Sequence, residues 1–293
     1  MTGKIIDGLA VADDVKKQVK KAVDKLKSQG IQASLATILV GDDPSSATYI
    51  KNKQKAAEQV GITTSDHKLT SSVSQRELMD LVNSLNEDEK IHGILVQLPL
   101  PSHIDKFAIS NTVNPAKDVD GLTPFNAGLL FSGSAYLKPC TPAGIIQMLD
   151  FYNINVMGMD AIIVNRSNLV GKPLAMLLLE RNATVTICHS KTKDLKIKLR
   201  QADVVITAVG NRAIFTLTSD MIKPDAIVID VGITRYKRKL TGDVDFESVR
   251  EKASWITPVP GGVGPMTVSM LLKNTVSAAS KRKGIDISDF KKV

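Results

Sequence analysis

Lys53 with its helix neighbour Tyr49, Gln97, and the acid pair Asp118 and Asp120 are the residues of the first half whose types and settings could carry chemistry. Tyr49, Lys53, Ala56 and Val60 fall at offsets of four, seven and eleven, so on a helix they share one face. A lysine flanked there by Tyr, Ala and Val is partly desolvated, which disfavours its charged form and suits it to exchange protons. The same spacing also fits a lysine whose stem covers apolar surface while its head reaches water. Gln97 is the polar intruder in Gly93-Ile94-Leu95-Val96-Gln97-Leu98-Pro99, where the prolines stop a strand just beyond its carboxyl end. Sites of α/β proteins are built at such ends. Its amide could orient a lysine or a water, or simply be satisfied at a sheet edge. In Lys117-Asp118-Val119-Asp120-Gly121 two acids stand one residue apart before a glycine. They could cap a turn or join a metal site, yet no His or Cys lies close enough to complete a ligand set, and no metal is expected. One carboxylate could instead accept from the paired N–H groups of an amidine-like edge.

The elements that must position these residues are legible in the periodicity. Helices are expected over residues 12–29, 44–60 and 75–86, with strands over 34–40 and 93–98 and a further short strand over 67–70. Asp43 is placed as an N-cap, Pro44 at the first helical position and Gly61 as the left-handed stop. Ser74 and Glu77 have capping-box spacing. A second series follows: helices over 142–152 and 171–181, strands over 161–164, 184–188, 204–208 and 226–231. That alternation predicts an α/β protein of two domains, the second a Rossmann-like, doubly wound parallel sheet with its ligand beyond the carboxyl ends of the strands. The glycine-rich stretch 260–265 closes the second series, and a helix over 266–283 is expected to return to the first domain. The boundaries are thus residues 1–141 with 266–293 for the first domain and 142–265 for the second.

Length and composition agree. A chain of 293 residues exceeds the usual single core. Its 43% hydrophobic and 23% charged residues are those of a globular protein, not a disordered one. At 4% aromatic it lacks stacking platforms for nucleic acid, which is not expected as a partner. The net charge of +8 suits anionic ligands such as phosphates and polycarboxylates, or a solvated basic surface with clusters such as Lys237-Arg238-Lys239 and Lys281-Arg282-Lys283. Cys140 and Cys188 are too few and too far apart for a disulfide framework or a metal pair. No apolar run approaches the roughly 20 residues of a membrane span, and no signal peptide is evident, so a cytoplasmic protein without membrane contact is expected.

Six stretches in order, Tyr49–Lys53, Val96–Pro101, Lys117–Leu122, Pro139–Pro142, Arg166–Pro173 and Pro258–Thr267, resemble the bifunctional methylenetetrahydrofolate dehydrogenase/methenyltetrahydrofolate cyclohydrolases. The resemblance implies oxidation of 5,10-methylenetetrahydrofolate to the 5,10-methenyl form and hydrolysis of the latter to 10-formyltetrahydrofolate. It makes Lys53 the catalytic lysine, assisted by Tyr49 and Gln97, with Asp120 holding the pterin ring and Leu98, Pro260, Gly261 and Gly262 completing the substrate site. Cofactor contacts are then expected from Asn165, Arg166, Ser167, Val170, Gly171, Pro173, His189, Ser190, Ala208, Gly210, Val231, Gly232, Ile233, Gly264 and Thr267. Asn165 stands where the family has glycine, and asparagine is expected to keep the turn by tolerating positive φ. The start of the helix at Gly171 is expected to receive phosphate.

A cofactor without a 2′-phosphate calls for Asp or Glu after the next strand. This chain has Cys188-His189-Ser190-Lys191 there, with Arg166 in reach, so NADP is favoured over NAD, although a solvated loop reads the same way. The resemblance also implies a homodimer joined through nucleotide-binding domains and folate substrates with or without a polyglutamate tail. Two rivals stand beside this reading: an NAD(P)-dependent dehydrogenase of another small substrate, such as a quinate- or shikimate-like acid, and a dinucleotide-binding regulator without turnover.

Overall fold

The structure is a computed structural model describing residues 2–236 and 239–287, apart from the side chain of Ser45; Met1, Lys237, Arg238 and residues 288–293 lie outside the described residues. Among the described residues two compact units emerge, one made of residues 14–140 with 268–287, the other of residues 2–13 with 141–267.

In the first unit three parallel strands pair in the order Thr63–Leu69, Ser34–Val40, Gly93–Val96. Every residue of Ser34–Val40 is buried, as a central parallel strand covered on both faces requires. Gly93 is forced by packing, since a Cβ there would come within 2.5 Å of the Val119 side chain. The helix Pro44–Val60 connects the first strand pair and has the bounds its sequence sets. Asp43 accepts from the Ser46 amide at 2.7 Å, and Gly61 ends the helix at φ 85°. Ser74 and Glu77 close the capping box of Gln75–Glu87. That helix buries Leu78, Val82 and Leu85 against Ile38, Ile94 and Ile109. The helices Lys106–Thr112 and Pro124–Phe131, each capped by its preceding Asp105 or Thr123, have no counterpart in the periodicity.

The second unit holds six parallel strands in the order Lys4–Ile5, Trp255–Ile256, Ile227–Asp230, Val204–Thr207, Asp160–Val164, Thr184–Cys188. Chain order reverses between Asp160–Val164 and Val204–Thr207, which is the switch point of a doubly wound sheet. Ile162, Val164, Val205, Val228 and Ile256 share one buried cluster. A hairpin, Thr234–Tyr236 with Lys239–Thr241, stands apart from the sheet.

Several boundaries differ from the sequence reading, among them that of the strand expected over 93–98, which ends at Val96, and that of the helix expected over 266–283, which begins at Val263. Residues 2–13 belong with the six-stranded unit, because Lys4–Ile5 pairs with Trp255–Ile256, too short a strand to leave a periodic signal. The first helix begins at Gly8, not residue 12, because Asp7 caps it by accepting from Leu9 at 2.9 Å and Ala10 at 3.2 Å. The short strand expected over 67–70 spans Thr63–Leu69. From residue 268 the C-terminal helix Val263–Lys283 belongs to the first unit, where Asn274 donates to Val119 O at 2.8 Å and Lys138 O at 2.9 Å.

Candidate functional site

Lys53 lies on the helix Pro44–Val60 and is only 6% exposed. Its Nζ donates to Gln97 Oε1 at 3.0 Å and sits 5.6 Å from the centroid of the Tyr49 ring. A buried charged head needs such partners. Gln97 follows the strand Gly93–Val96 directly, and its own Nε2 donates to Leu98 O at 2.7 Å. That bond fixes which way the amide faces, leaving the oxygen for the lysine. The Gln97 amide oxygen thus has Lys53 as its partner. Leu98 is 37% exposed beside it.

The two acids divide their work. Asp118 is buried and consumed by the turn, accepting from Leu122 N at 3.2 Å, Thr123 N at 2.8 Å and Asn126 Nδ2 at 2.9 Å. Asp120 takes no part in that turn's side-chain hydrogen bonds among the described residues. Burial pushes its carboxyl above the usual range and Asp118 pushes the same way, while Lys53 and the Cys140 thiol pull it down. Cys140 donates to Val119 O at 3.3 Å, and Asn274 Nδ2 lies 3.7 Å from its sulfur. Tyr49, Lys53, Gln97 and Asp120 therefore form one constellation: a buried lysine, the amide that holds it, a ring beside it and a desolvated carboxylate.

In the other unit, Asn165 and Ala208 follow the two strands of the switch point and are tied together, Asn165 Nδ2 donating to Ala208 O at 2.6 Å. Asn165 does not adopt positive φ, contrary to expectation. Its side chain organises the turn instead, Oδ1 accepting from Ser167 N at 2.7 Å and Gly171 N at 3.1 Å. The helix Gly171–Glu180 thus has its first amide taken by Asn165 and its second, Lys172 N, taken by Ser167 O at 3.0 Å. Gly171 serves close packing, since a Cβ would come within 2.2 Å of Asn165 O. Val170 N is held by Ser167 Oγ at 3.1 Å, and Pro173 is buried in the first helical turn.

Beyond Thr184–Cys188 the chain turns through His189 to Thr192, with His189 Nδ1 accepting from Lys191 N at 3.1 Å. Ser190, Lys191 and Arg166 are exposed, and no acid stands among them. Gly210 and Gly264 both face Ile233, at 3.9 Å from its carbonyl oxygen and 3.8 Å from Cδ1 as measured from their would-be Cβ positions. Thr267 Oγ1 meets Thr141 Oγ1 at 2.9 Å. Pro260–Gly262 packs on the start of the first helix, where Gly8 N donates to Gly261 O at 2.9 Å and a Cβ on Gly8 would strike Gly262 O.

The description "Tetrahydrofolate dehydrogenase/cyclohydrolase, catalytic domain" matches residues 6–120, and the companion "NAD(P)-binding domain" matches residues 139–283. The chain belongs to the tetrahydrofolate dehydrogenase/cyclohydrolase family. The bifunctional protein FolD of Nitrosopumilus maritimus is 58% identical over 280 residues, 96% of this chain and 98% of that protein. The crystal structure of FolD methylenetetrahydrofolate dehydrogenase/cyclohydrolase from Campylobacter jejuni superposes with a TM-score of 0.92 at 49% identity, covering 95% of this chain and 99% of that one. The Trypanosoma brucei FolD structure, a complex with NADP cofactor and inhibitor, gives a TM-score of 0.91 at 38% identity, covering 97% and 99%.

Membership of the tetrahydrofolate dehydrogenase/cyclohydrolase family removes the ground for the two rival readings, a dehydrogenase of an unrelated acid and a regulator without turnover. Within this family member, sequence reasoning gave no role to Cys140 or Asn274. Cys140 lies within the stretch Pro139–Pro142, but Asn274 sits in a helix with no local signal. Among the described residues no group of three or more His, Cys, Asp or Glu could hold a metal ion, and no helix is long and apolar enough to cross a membrane. Burial raises both thiols, Cys140 well above the usual range with Asp120 adding to it. Neither thiol should react with a disulfide reagent in the folded protein at pH 8, whereas the denatured chain should release both. Rapid labelling of native Cys140 would contradict its placement.

Proposed function

We propose that the chain oxidises 5,10-methylenetetrahydrofolate to 5,10-methenyltetrahydrofolate with NADP and hydrolyses the methenyl form to 10-formyltetrahydrofolate, both reversibly. The carrying observation is the buried Lys53 head gripped by Gln97 in company with Asp120, a carboxylate that the neighbouring turn does not use. The ring N–H and exocyclic amine of a pterin form a donor pair that Asp120 can accept in fork fashion, fixing where the one-carbon bridge lies. Leu98, beside Gln97, is assigned to the same substrate.

Loss of hydride from the methylene carbon needs no base, because the two flanking nitrogens delocalise the resulting cation. Hydrolysis does need proton transfer. Water attacking the methenyl carbon must give up a proton, and the pterin-side nitrogen must gain one as its bond to carbon breaks. Lys53 carries that proton, with Gln97 holding its Nζ in place and Tyr49 alongside.

The loop chemistry fits NADP, whose role when bound is to accept the hydride. Arg166 and Ser190, with Lys191, offer cationic and hydroxyl donors for a 2′-phosphate where no acid is present to accept from a free ribose hydroxyl. The loops at 165–173, 189–190, 208–210, 231–233 and 264–267 are assigned to the remainder of the dinucleotide. The NADP-bound Trypanosoma brucei relative supports this assignment. The same reading makes the protein a cytoplasmic homodimer, and the net charge of +8 supports acceptance of polyglutamylated folates.

Absorbance of methenyltetrahydrofolate, followed through formation and decay with each dinucleotide, tests both steps. NADP should be used at least about tenfold better than NAD, and Arg166→Ala should remove most of that preference. Equal use of both by the parent ends the NADP assignment; no methenyl product with either ends the functional reading.

A further inference from the structure

Behind the loops assigned to the dinucleotide lie two carboxylates with no part in the chemistry above. Asp243 is fully buried and Asp230 is 3% exposed. Neither has an ion-pair partner within 4.0 Å among the described residues. Their acceptor capacity goes mostly to backbone amides, with Thr207 Oγ1 also donating to Asp230 Oδ1 at 3.4 Å. Asp243 Oδ2 accepts from Val209 N at 2.6 Å and Oδ1 from Gly210 N at 2.9 Å. Asp230 accepts from Gly232 N at 3.0 Å, Asp243 N at 3.0 Å and Val244 N at 2.9 Å.

The result is a two-step relay: Asp230, at the carboxyl end of Ile227–Asp230, grips the backbone that carries Asp243, and Asp243 grips the loop after Val204–Thr207. Two glycines exist to admit the carboxylates. A Cβ on Gly232 would come within 2.3 Å of Asp243 Cγ, and one on Gly242 would overlap Asp230 Oδ2. Gly232 therefore makes room for Asp243 whatever else it touches.

We infer that Asp243 is a positioning residue of the dinucleotide site, fixing the Ala208–Gly210 loop through its two amides, with Asp230 holding Asp243 in register. The inference rests on the dinucleotide reading given above. Only a carboxylate satisfies the geometry. Two neighbouring N–H groups require an acceptor at both positions, and an amide offers one oxygen while setting its NH2 against the other donor. A buried donor left facing a donor forces the loop to move. The two activities separate this role from a purely structural one, because hydrolysis of supplied methenyltetrahydrofolate consumes no dinucleotide.

Asp243→Asn should raise the KM for NADP and weaken NADP binding, measured by titration calorimetry, by roughly tenfold or more. Cyclohydrolase turnover without dinucleotide should stay within about twofold of the parent. Asp230→Asn, one step further from the loop, should give the same split at smaller amplitude. Unchanged NADP binding in folded Asp243→Asn overturns the proposal. So does a parallel fall of both activities, and so does failure of both variants to fold, which would make the pair a support of the sheet. A parent that binds NADP but lacks both folate activities would instead refute the substrate reading and leave the calorimetric test of Asp243 intact.

Discussion

Lys53→Met should lower cyclohydrolase turnover by about a thousandfold or more, the upper range for loss of a positioned proton carrier, while folate still binds. Methionine copies the length and most of the volume of the stem, so the helix face that carries Tyr49, Ala56 and Val60 keeps its packing. What disappears is the donor to Gln97 Oε1 and the amine that carries a proton to or from water. Stability should hold, since an apolar tip replaces a polar head in a residue that is only 6% exposed. Dehydrogenase turnover should fall much less than hydrolysis, because departure of hydride needs no base. The check is decay of supplied methenyltetrahydrofolate, corrected for its spontaneous hydrolysis, beside a direct measurement of folate binding. Hydrolysis at the parental rate in the purified variant would remove Lys53 from the mechanism.

The features legible beforehand are those specified locally. Pro44–Val60 is framed by Asp43, Pro44 and Gly61, each acting within one turn of the helix end, so its bounds could be read off the chain. Lys4–Ile5 could not, because its partner Trp255–Ile256 lies some 250 residues away and neither strand exceeds two residues. The site shows the same division. Helical spacing and the position of Gln97 brought the lysine and amide together, but nothing in Asp-Val-Asp says which carboxylate a turn will consume. That depends on Thr123 and Asn126, which meet Asp118 only after the chain folds. Asn165 misled for a related reason. Its tolerance of positive φ was the property visible in the sequence, whereas the protein uses its side chain to tie Ser167, Gly171 and Ala208. Asp243 gave no signal at all, since its partners are backbone amides some 33 and 34 residues upstream.

Acid should expose the weakest polar burial in the three-stranded unit, and His92→Leu should remove it. His92 begins the run into Gly93–Val96, is 4% exposed, and has no hydrogen-bond partner for either ring nitrogen among the described residues. Cations crowd it: Arg282 donates to Ile91 O at 2.9 Å, and Lys117 to Leu85 O at 2.8 Å and Asp88 O at 2.7 Å. Burial first, then Arg282, Lys283 and Lys117, pull the imidazole down from 6.5 to about 4. The unfolded chain therefore takes up a proton that the folded one refuses. Stability is complete above the unfolded value of 6.5 and is lost as pH falls toward about 4, below which no more is lost. Across that window the cost is about 3 kcal/mol, of which about 2 kcal/mol has gone by pH 5. Asp230 acts oppositely, because burial raises it to about 6 and the folded state then binds the extra proton between about 6 and 3.8. The parent's curve alone therefore mixes signs, and the informative quantity is the difference between parent and His92→Leu in urea unfolding at successive pH values. That difference should favour the variant by about 2 kcal/mol more at pH 5 than at pH 7. Parallel curves would mean that the ring finds a proton acceptor or water in solution.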